Sequence, residues 1–118
     1  MEGMVYDFKI DNKKIQEKVG CIDKIKNTNV FSMIKSNGSR CQKNYDIGDN
    51  DFYWLNCINK VVFYVIPEHL LIERKYVGFN GKKQLKLNPK DTLYNQWLKP
   101  YRFDYENIDK VRLLKLLK

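Results

Sequence analysis

Three polar residues near the start of the chain, Asp7, Gln16 and Lys18, are of the types that metal-assisted phosphodiester cleavage uses. Hard oxygen donors hold a divalent cation, which polarises a phosphate and activates water. An ammonium beside them steadies the attacking water or the negative charge that develops on the phosphate. Whether the three can act together depends on the segment that carries them. Tyr6, Phe8 and Ile10 alternate with Asp7, Lys9 and Asp11, which is strand periodicity. Asp11 and Asn12 both tolerate the positive φ of a tight hairpin turn, and Lys14 to Val19 is the returning strand. With a two-residue loop, Ile10 faces Lys13, Phe8 faces Ile15 and Asp7 faces Gln16. Opposed residues share a side of the sheet, and Lys18, two residues beyond Gln16, joins that side. Asp7, Gln16 and Lys18 then form one polar cluster, with Phe8 and Ile15 on the opposite, apolar side. The same alternation turns Glu17 away from Gln16 and Lys18, which leaves it a minor candidate to replace Gln16 as a ligand.

Asp7 followed one strand later by Gln16-Glu17-Lys18 resembles the PD-(D/E)XK, or restriction-endonuclease-like, nucleases. More narrowly it is similar to the branch in which Gln replaces the second acid, to which intron-encoded homing endonucleases belong. Asp51-Phe52-Tyr53-Trp54-Leu55 and Val62-Phe63-Tyr64-Val65-Ile66-Pro67 look like that family's later core strands, which end in a proline before a helix, so the resemblance covers roughly residues 5 to 72. The resemblance implies an α/β single domain over residues 1–118, with a central mixed β-sheet flanked by helices. It also implies a metal-dependent DNA endonuclease using Mg²⁺ or Mn²⁺. Asp7, Gln16 and Lys18 would be its catalytic residues, and Asp7, Gln16 and, as the lesser candidate, Glu17 its metal ligands. The chain departs from the family in one respect. A helix carrying a metal-binding Glu usually precedes the first motif strand, but Asp7 lies close to Met1 and Glu2 is the sole acid upstream. The expectation is a core without its first helix, either shortened or completed by another chain, in a homo-oligomer able to cut both strands.

The composition agrees with a polyanionic partner. Lys and Arg number 22 against 14 Asp and Glu, a net charge of +8, which favours nucleic acid first and an acidic membrane surface second. A lysine-rich surface that serves solubility is the plainer reading of the same excess. At 43% hydrophobic and 14% aromatic the chain is globular rather than disordered. No stretch approaches a membrane span, and Met1-Glu2-Gly3-Met4 lacks the pattern of a signal peptide. Cys21, Cys41 and Cys57 are widely spaced with no C-x-x-C pair, which argues against a zinc site and for reduced thiols in an intracellular protein. His69, the single histidine, reads as a helix-surface residue.

Further elements follow along the chain. Lys24 and Lys26 lie in a connection from Cys21 to Asn29. Val30 to Lys35 is a strand with Phe31 and Met33 on one face, and Ser36-Asn37-Gly38-Ser39 is a turn. Arg40, Lys43 and Tyr45 occupy a polar loop suited to a DNA backbone. Phe52 to Ile58 and Val61 to Ile66 are strands joined by Asn59-Lys60, and the unbroken apolar run of the second marks it as the sheet centre. Pro67 fits the first turn of a helix over 68–74. Lys82 to Leu87 is an alternating strand with Leu85 and Leu87 inward, and Lys82, Lys83 and Lys86 are equally an edge that contacts phosphates and an edge protected by lysine. Asn88 or Asp91 caps a helix with an apolar stripe of Leu93, Tyr94, Trp97 and Leu98, stopped by Pro100, with Trp97 as a core anchor rather than a stacking platform for bases. A terminal helix opening at Glu106 or Asn107 buries Ile108, Val111, Leu114 and Leu117 or Leu113. With Lys13 and Lys14 on the hairpin, the candidate nucleic-acid contacts are Lys13, Lys14, Lys24, Lys26, Arg40, Lys43, Lys82, Lys83 and Lys86. Two rival functions stay open: an inactive nucleic-acid-binding module of the same fold, and a protein-interaction or inhibitor protein acting through its hairpin and terminal helix.

Overall fold

The hairpin forms with the register its sequence dictates. In the computed structural model, which describes residues 7–23, 28–36, 42–57, 61–89 and 95–118, β1 (Phe8–Ile10) pairs antiparallel with β2 (Lys13–Val19). Phe8 lies opposite Ile15 and Ile10 opposite Lys13. Asp11 and Asn12 take positive φ of 48° and 67°, the left-handed pair that a type I′ turn requires. Asp7 sits just before β1, and its N–H donates at 2.8 Å to the carbonyl of Ile15, the residue paired with its neighbour Phe8.

Ten strands in all are described among these residues. The others are β3 (Cys21–Asp23), β4 (Thr28–Ser32), β5 (Ile34–Ser36), β6 (Gln42–Asn44), β7 (Phe52–Asn56), β8 (Val62–Pro67), β9 (Gln84–Leu87) and β10 (Arg102–Asp104). Two short α-helices, α1 (Glu68–Glu73) and α2 (Lys110–Leu116), and 3-10 turns at Gln96–Tyr101 and Tyr105–Asn107 complete the chain. The main sheet is five-stranded and mixed, in the order β1-β2-β7-β8-β10. β2 and β7 run parallel, Ile15 beside Phe52 and Lys18 beside Leu55, and the remaining neighbours are antiparallel. A three-stranded sheet, β3-β4-β9, and the β5-β6 pair lie apart from it in hydrogen bonding. The protein is thus one sheet-rich unit with a mixed central sheet and few helices. No helix among the described residues is long and apolar enough to cross a membrane.

The pleat of β7 and β8 divides the core in two. One side sends Tyr53, Leu55, Tyr64 and Ile66 against Phe31, Met33, Tyr45, Leu71, Leu85, Leu87 and Leu98. The other sends Phe52, Phe63 and Val65, with Ile15 and Phe103, against Leu117, Leu113 and Leu116 of the C-terminal segment. On this second side Trp54 stacks on Phe63 with centroids 4.6 Å apart, Phe63 stacks on Phe103 at 5.3 Å, and Phe8 meets Trp54 edge-on at 6.2 Å. Offset and edge contacts of this kind add about 0.5–1.5 kcal/mol each beyond area burial. Gly20 joins the layers. A Cβ there would lie 3.0 Å from the Phe31 ring, so a larger residue would make that buried ring shift by a few tenths of an ångström where the chain leaves β2.

Several sequence expectations are corrected. The strand expected over Val30 to Lys35 divides at Met33 into β4, which pairs with β9, and β5, which pairs with β6, and the Met33 N–H still donates to the Lys83 carbonyl in line with the β4-β9 register. Phe31 and Met33 nonetheless bury on one side, as their spacing implied. Every residue of β8 is buried, yet the middle strand is β7. Pro67 ends β8 and caps α1 instead of entering it, with φ −67° and ψ 145°. The helix expected before Pro100 is a 3-10 turn over Gln96–Tyr101 that contains the proline, while Leu93 and Tyr94 lie outside the described residues. Asp109, not Asn107 or Glu106, caps the last helix, its side chain accepting from the Arg112 N–H. That shifts the buried stripe to Leu113, Leu116 and Leu117, leaving Val111 70% and Leu114 53% exposed.

Four buried acids of the weak kind sit in these cores. Burial pushes the Cys57 thiol from 9.0 up to about 12 and the Tyr45 and Tyr64 phenols from 10.0 up to about 12, and it raises Tyr53 further. A raised folded pKa adds stability that is whole below the unfolded value and is lost as pH climbs through the folded one. Stability measured by urea denaturation should therefore be level up to pH 9 and fall steadily from pH 9 to about 12. A curve that stays flat across that window would mean these groups are solvated.

Candidate functional site

β1 and β2 bring Asp7, Gln16 and Lys18 together as their spacing predicts. Gln16 Nε2 donates to Asp7 Oδ2 at 2.9 Å, and the Glu17 N–H donates to the same oxygen at 2.8 Å. These two bonds fix the carboxylate beside the strand from both backbone and side chain. Asp7 is exposed, whereas Gln16 and Lys18 are half-buried. The parallel register continues the cluster onto the next strand: Gln16 lies beside Tyr53, and Lys18 beside Leu55. Lys18 and Gln16 therefore stand at the margin of the larger core.

Tyr45 gives this margin its character. Its ring packs edge-on against Tyr53 at 5.3 Å, and Lys18 Nζ lies 4.7 Å from the Tyr45 ring centroid. A quadrupolar ring face attracts a cation and substitutes in part for lost water. Burial nonetheless lowers the Lys18 pKa below its ordinary 10.5, and the negative charge of Asp7 works against that fall. The Tyr45 phenol is pushed up to about 12, by burial first and then by Asp7 and Asp49.

A polar clasp holds Tyr45 in place. Lys35 Nζ bridges Asp46 Oδ2 at 2.6 Å and Asp49 Oδ2 at 3.0 Å, and the Asp46 N–H donates to Asp49 Oδ2 at 2.8 Å. The hydrogen bond from Lys35 holds the Asp46 carboxyl below its usual range, and the same bond raises Lys35. Lys14 ties the clasp to the hairpin: its N–H donates to Asp51 Oδ2 at 2.7 Å and its Nζ to the Gly48 carbonyl at 2.6 Å. The Gly48 N–H donates in turn to Glu68 Oε2 at 2.8 Å, and burial raises the Glu68 pKa.

Glu17 does not join the cluster. Its Oε2 accepts from Asn56 Nδ2 at 2.8 Å, on the opposite side of the sheet, and Asn56 Oδ1 accepts from Trp54 Nε1 and from the Tyr105 hydroxyl. As a metal ligand with Asp7 and Gln16, Glu17 is therefore corrected to a partner of Asn56, for the reason strand alternation gives. No group of three or more His, Cys, Asp or Glu able to hold a metal comes together among the described residues. Asp7 and the Gln16 carbonyl remain as oxygen donors. That set fits a weakly held Mg²⁺ or Mn²⁺ completed by waters and substrate phosphates.

The basic candidates are dispersed. Lys13 and Lys14 sit at the turn end of β2, and Lys14 is engaged with Gly48. Lys43 is exposed on β6. Lys83 Nζ donates to Asn44 Oδ1 at 2.5 Å, and Lys82 lies over the Tyr76 ring. Lys86 points outward from β9, as the alternation of that strand predicts. Lys24, Lys26 and Arg40 lie outside the described residues. Sequence reasoning placed Tyr45 near DNA but missed its contact with Lys18, and no pattern in the chain links residues 18 and 45.

No protein-family model matches the chain, and no curated protein matches it. A solved structure described as the crystal structure of MepB is similar, with a TM-score of 0.73 over 85% of this chain and 76% of that one, at 16% identity. At that identity the likeness concerns the fold alone.

Two outcomes test this geometry. In NMR titration of the lysine side chains, Lys18 should lose its proton below the ordinary 10.5, and Asp7→Asn should lower that midpoint further by removing the opposing charge. An unchanged Lys18 midpoint in the variant would separate the two groups. In urea denaturation, Asp7→Ala should cost about 1 kcal/mol because two hydrogen bonds disappear, with Glu17→Gln within about 0.5 kcal/mol of the parent. The reverse order would show that the Glu17–Asn56 contact is the one holding the hairpin.

Proposed function

We propose that the chain is a small metal-dependent DNA endonuclease that hydrolyses phosphodiester bonds at the Asp7/Gln16/Lys18 hairpin, with a nuclease core of the PD-(D/E)XK type. The observation that carries this reading is the convergence of a carboxylate, a side-chain amide and a half-buried ammonium on one side of a hairpin, with Gln16 bound to Asp7 at 2.9 Å and Lys18 coupled to its charge. Perturbed titratable groups beside such a cluster mark functional sites more often than chance.

The residues divide the work by chemistry. Asp7 supplies the fixed negative charge and, with the Gln16 carbonyl, would hold Mg²⁺ or Mn²⁺, which when bound polarises the scissile phosphate and acidifies water. Gln16 orients Asp7 through its amide, and the Glu17 N–H locks the carboxylate from the other direction. Lys18 places its ammonium where negative charge grows on the phosphate. Its partial burial strengthens that interaction, because fewer waters screen it. A lowered lysine pKa also favours proton transfer at this position, from the attacking water to the neutral amine or from the ammonium to the leaving oxygen. Tyr45 keeps the ammonium at the margin of the core through its ring face, and its raised phenol stays neutral. Cleavage of both strands calls for a second copy of the chain, the homo-oligomer expected from sequence.

One observation favours a second reading, an inactive nucleic-acid-binding module. Glu17 is committed to Asn56, which leaves Asp7 as the one carboxylate in the cluster among the described residues.

Supercoiled plasmid incubated with the protein in Mg²⁺ or Mn²⁺ should be nicked or linearised, and the products should vanish with EDTA. Lys18→Ala and Asp7→Asn should each lower the rate at least about 100-fold, the scale of removing an acid–base or electrostatic group, and circular dichroism should stay unchanged. Glu17→Gln should cut at nearly the parent rate. Intact plasmid with every metal, beside a gel shift that EDTA leaves in place, would replace the nuclease reading with the binding module.

A further inference from the structure

A second cationic and aromatic feature lies apart from the hairpin cluster. Tyr76, beyond α1, and Trp97, in the 3-10 turn, hold their rings 6° from parallel with centroids 6.3 Å apart. The Arg74 guanidinium lies 4.5 Å from the Trp97 centroid, and Lys82 Nζ lies 4.9 Å from the Tyr76 centroid. Together with Lys86 on β9 these residues line a cavity of about 210 Å³. Among the described residues no carboxylate lines it, and none forms an ion pair with Arg74, Lys82 or Lys86.

The cleft is built from below. Asn44, almost fully buried, donates from Nδ2 to the Tyr76 carbonyl at 2.9 Å and to the Lys82 carbonyl at 2.7 Å. Lys82 donates its own N–H to the Lys75 carbonyl at 2.7 Å. That closure needs Gly81, because a Cβ there would lie 2.8 Å from the Lys75 oxygen and 3.0 Å from Asn44 Nδ2. Asn44 immediately precedes Tyr45, so the support of the cleft and the ring beneath Lys18 are consecutive residues.

Three cations held near one another without an acid repel unless an anion joins them. Flat aromatic rings among those cations suit an anion that also carries a flat ring. A nucleotide unit has both, and in a single strand its base is free to stack while its phosphates meet the cations. In a duplex the bases are already stacked, and an acidic peptide offers the charge without the ring. We infer that the Arg74/Tyr76/Lys82/Lys86/Trp97 cleft is a binding site for single-stranded nucleic acid, which takes a base against its aromatic wall and phosphates on its three cations. The site is distinct from the hairpin and operates whether or not the hairpin cleaves.

The test measures fluorescence anisotropy of a labelled twelve-residue oligothymidylate with the full chain in EDTA, across a salt series. Lys82→Ala/Lys86→Ala should weaken binding at least about 10-fold and reduce the slope of log K against log salt by about 1.4, since each phosphate that is no longer neutralised takes about 0.7 from it. Trp97→Leu should weaken binding at least about 5-fold, within the range of a single base stack, without changing that slope. Lys110→Ala/Lys115→Ala, which removes the same charge from α2, should leave affinity nearly unchanged. Equal weakening in the cleft and α2 double variants would overturn the proposal, since net charge alone would then explain the binding. So would full competition by millimolar inorganic phosphate, or tighter binding of the matching duplex, or no binding of the oligonucleotide. If Trp97→Leu fails to fold, Arg74→Ala, which removes the exposed cation from the same ring, serves in its place and should weaken binding with a smaller salt slope. The hairpin reading is judged separately: plasmid nicking in Mg²⁺ decides it, whereas oligonucleotide binding is measured in EDTA, where the hairpin would hold no metal.

Discussion

The structure depends on the parallel junction of β2 and β7. The hairpin cannot bury Ile15 alone, and the β7-β8 pair leaves an edge at Phe52–Asn56 that has to be covered. Their union closes both gaps and is locked at either end. At the start, Lys14 and Asp51 exchange hydrogen bonds, the Lys14 N–H to the carboxylate and the Asp51 N–H to the Lys14 carbonyl. At the finish, the Gly20 N–H reaches the Asn56 carbonyl. Parallel pairing also assigns the faces. It sets Gln16 and Lys18 on the side of Tyr53 and Leu55, and Ile15 and Glu17 on the side of Phe52 and Trp54. A register slip of one residue would exchange them, placing the ammonium under α2 and Ile15 in the polar cluster.

Cations repeatedly meet aromatic faces in this protein. Lys18 lies over Tyr45, Lys82 over Tyr76, Arg74 over Trp97, and Arg112 over Phe103. The last is structural: Arg112 also donates to the Pro100 and Arg102 carbonyls, fastening α2 to the sheet. The other three lie on rings of the larger core, Tyr45 within it and Tyr76 and Trp97 packed against it. A chain with a net charge of +8 has to settle many cations on a small surface, and ring faces accept them without adding acids that would cancel the field.

The hairpin was legible because its signals are local. A two-residue Asp-Asn turn and period-two alternation suffice to fix which side chains face one another. The strand expected over Lys82 to Leu87 was legible for the same reason in its Gln84–Leu87 part, with Leu85 and Leu87 buried and Lys86 outside, while Lys82 and Lys83 precede it. Features that depend on distant segments were not. Nothing near Met33 announces that the strand changes partner there from β9 to β6, and nothing near Trp97 announces Arg74 and Tyr76. Trp97 reads as a core anchor and does pack against the larger core, but the 3-10 turn that carries it also leaves it half-exposed beside the cations, which the expected helix stripe does not show. The terminal helix shows a subtler failure: several leucine registers are equally apolar, and the cap at Asp109 and the reach of Phe103 choose among them.

The order of β2 and β7 in the sheet also bears on how the chain comes to be folded. A hairpin joined by two residues closes within microseconds, and so does the short connection between β7 and β8. The parallel join brings together residues 37 apart, with the whole of β3 to β6 looped out between them. Its entropy cost falls due before its contacts are made, which puts it late on the folding route. Until then the hairpin and the β7-β8 pair each present an unpaired strand edge, and that of β7 is apolar. On a ribosome the hairpin emerges well ahead of its partner strand, so the interval before the two meet is when this protein is most open to aggregation.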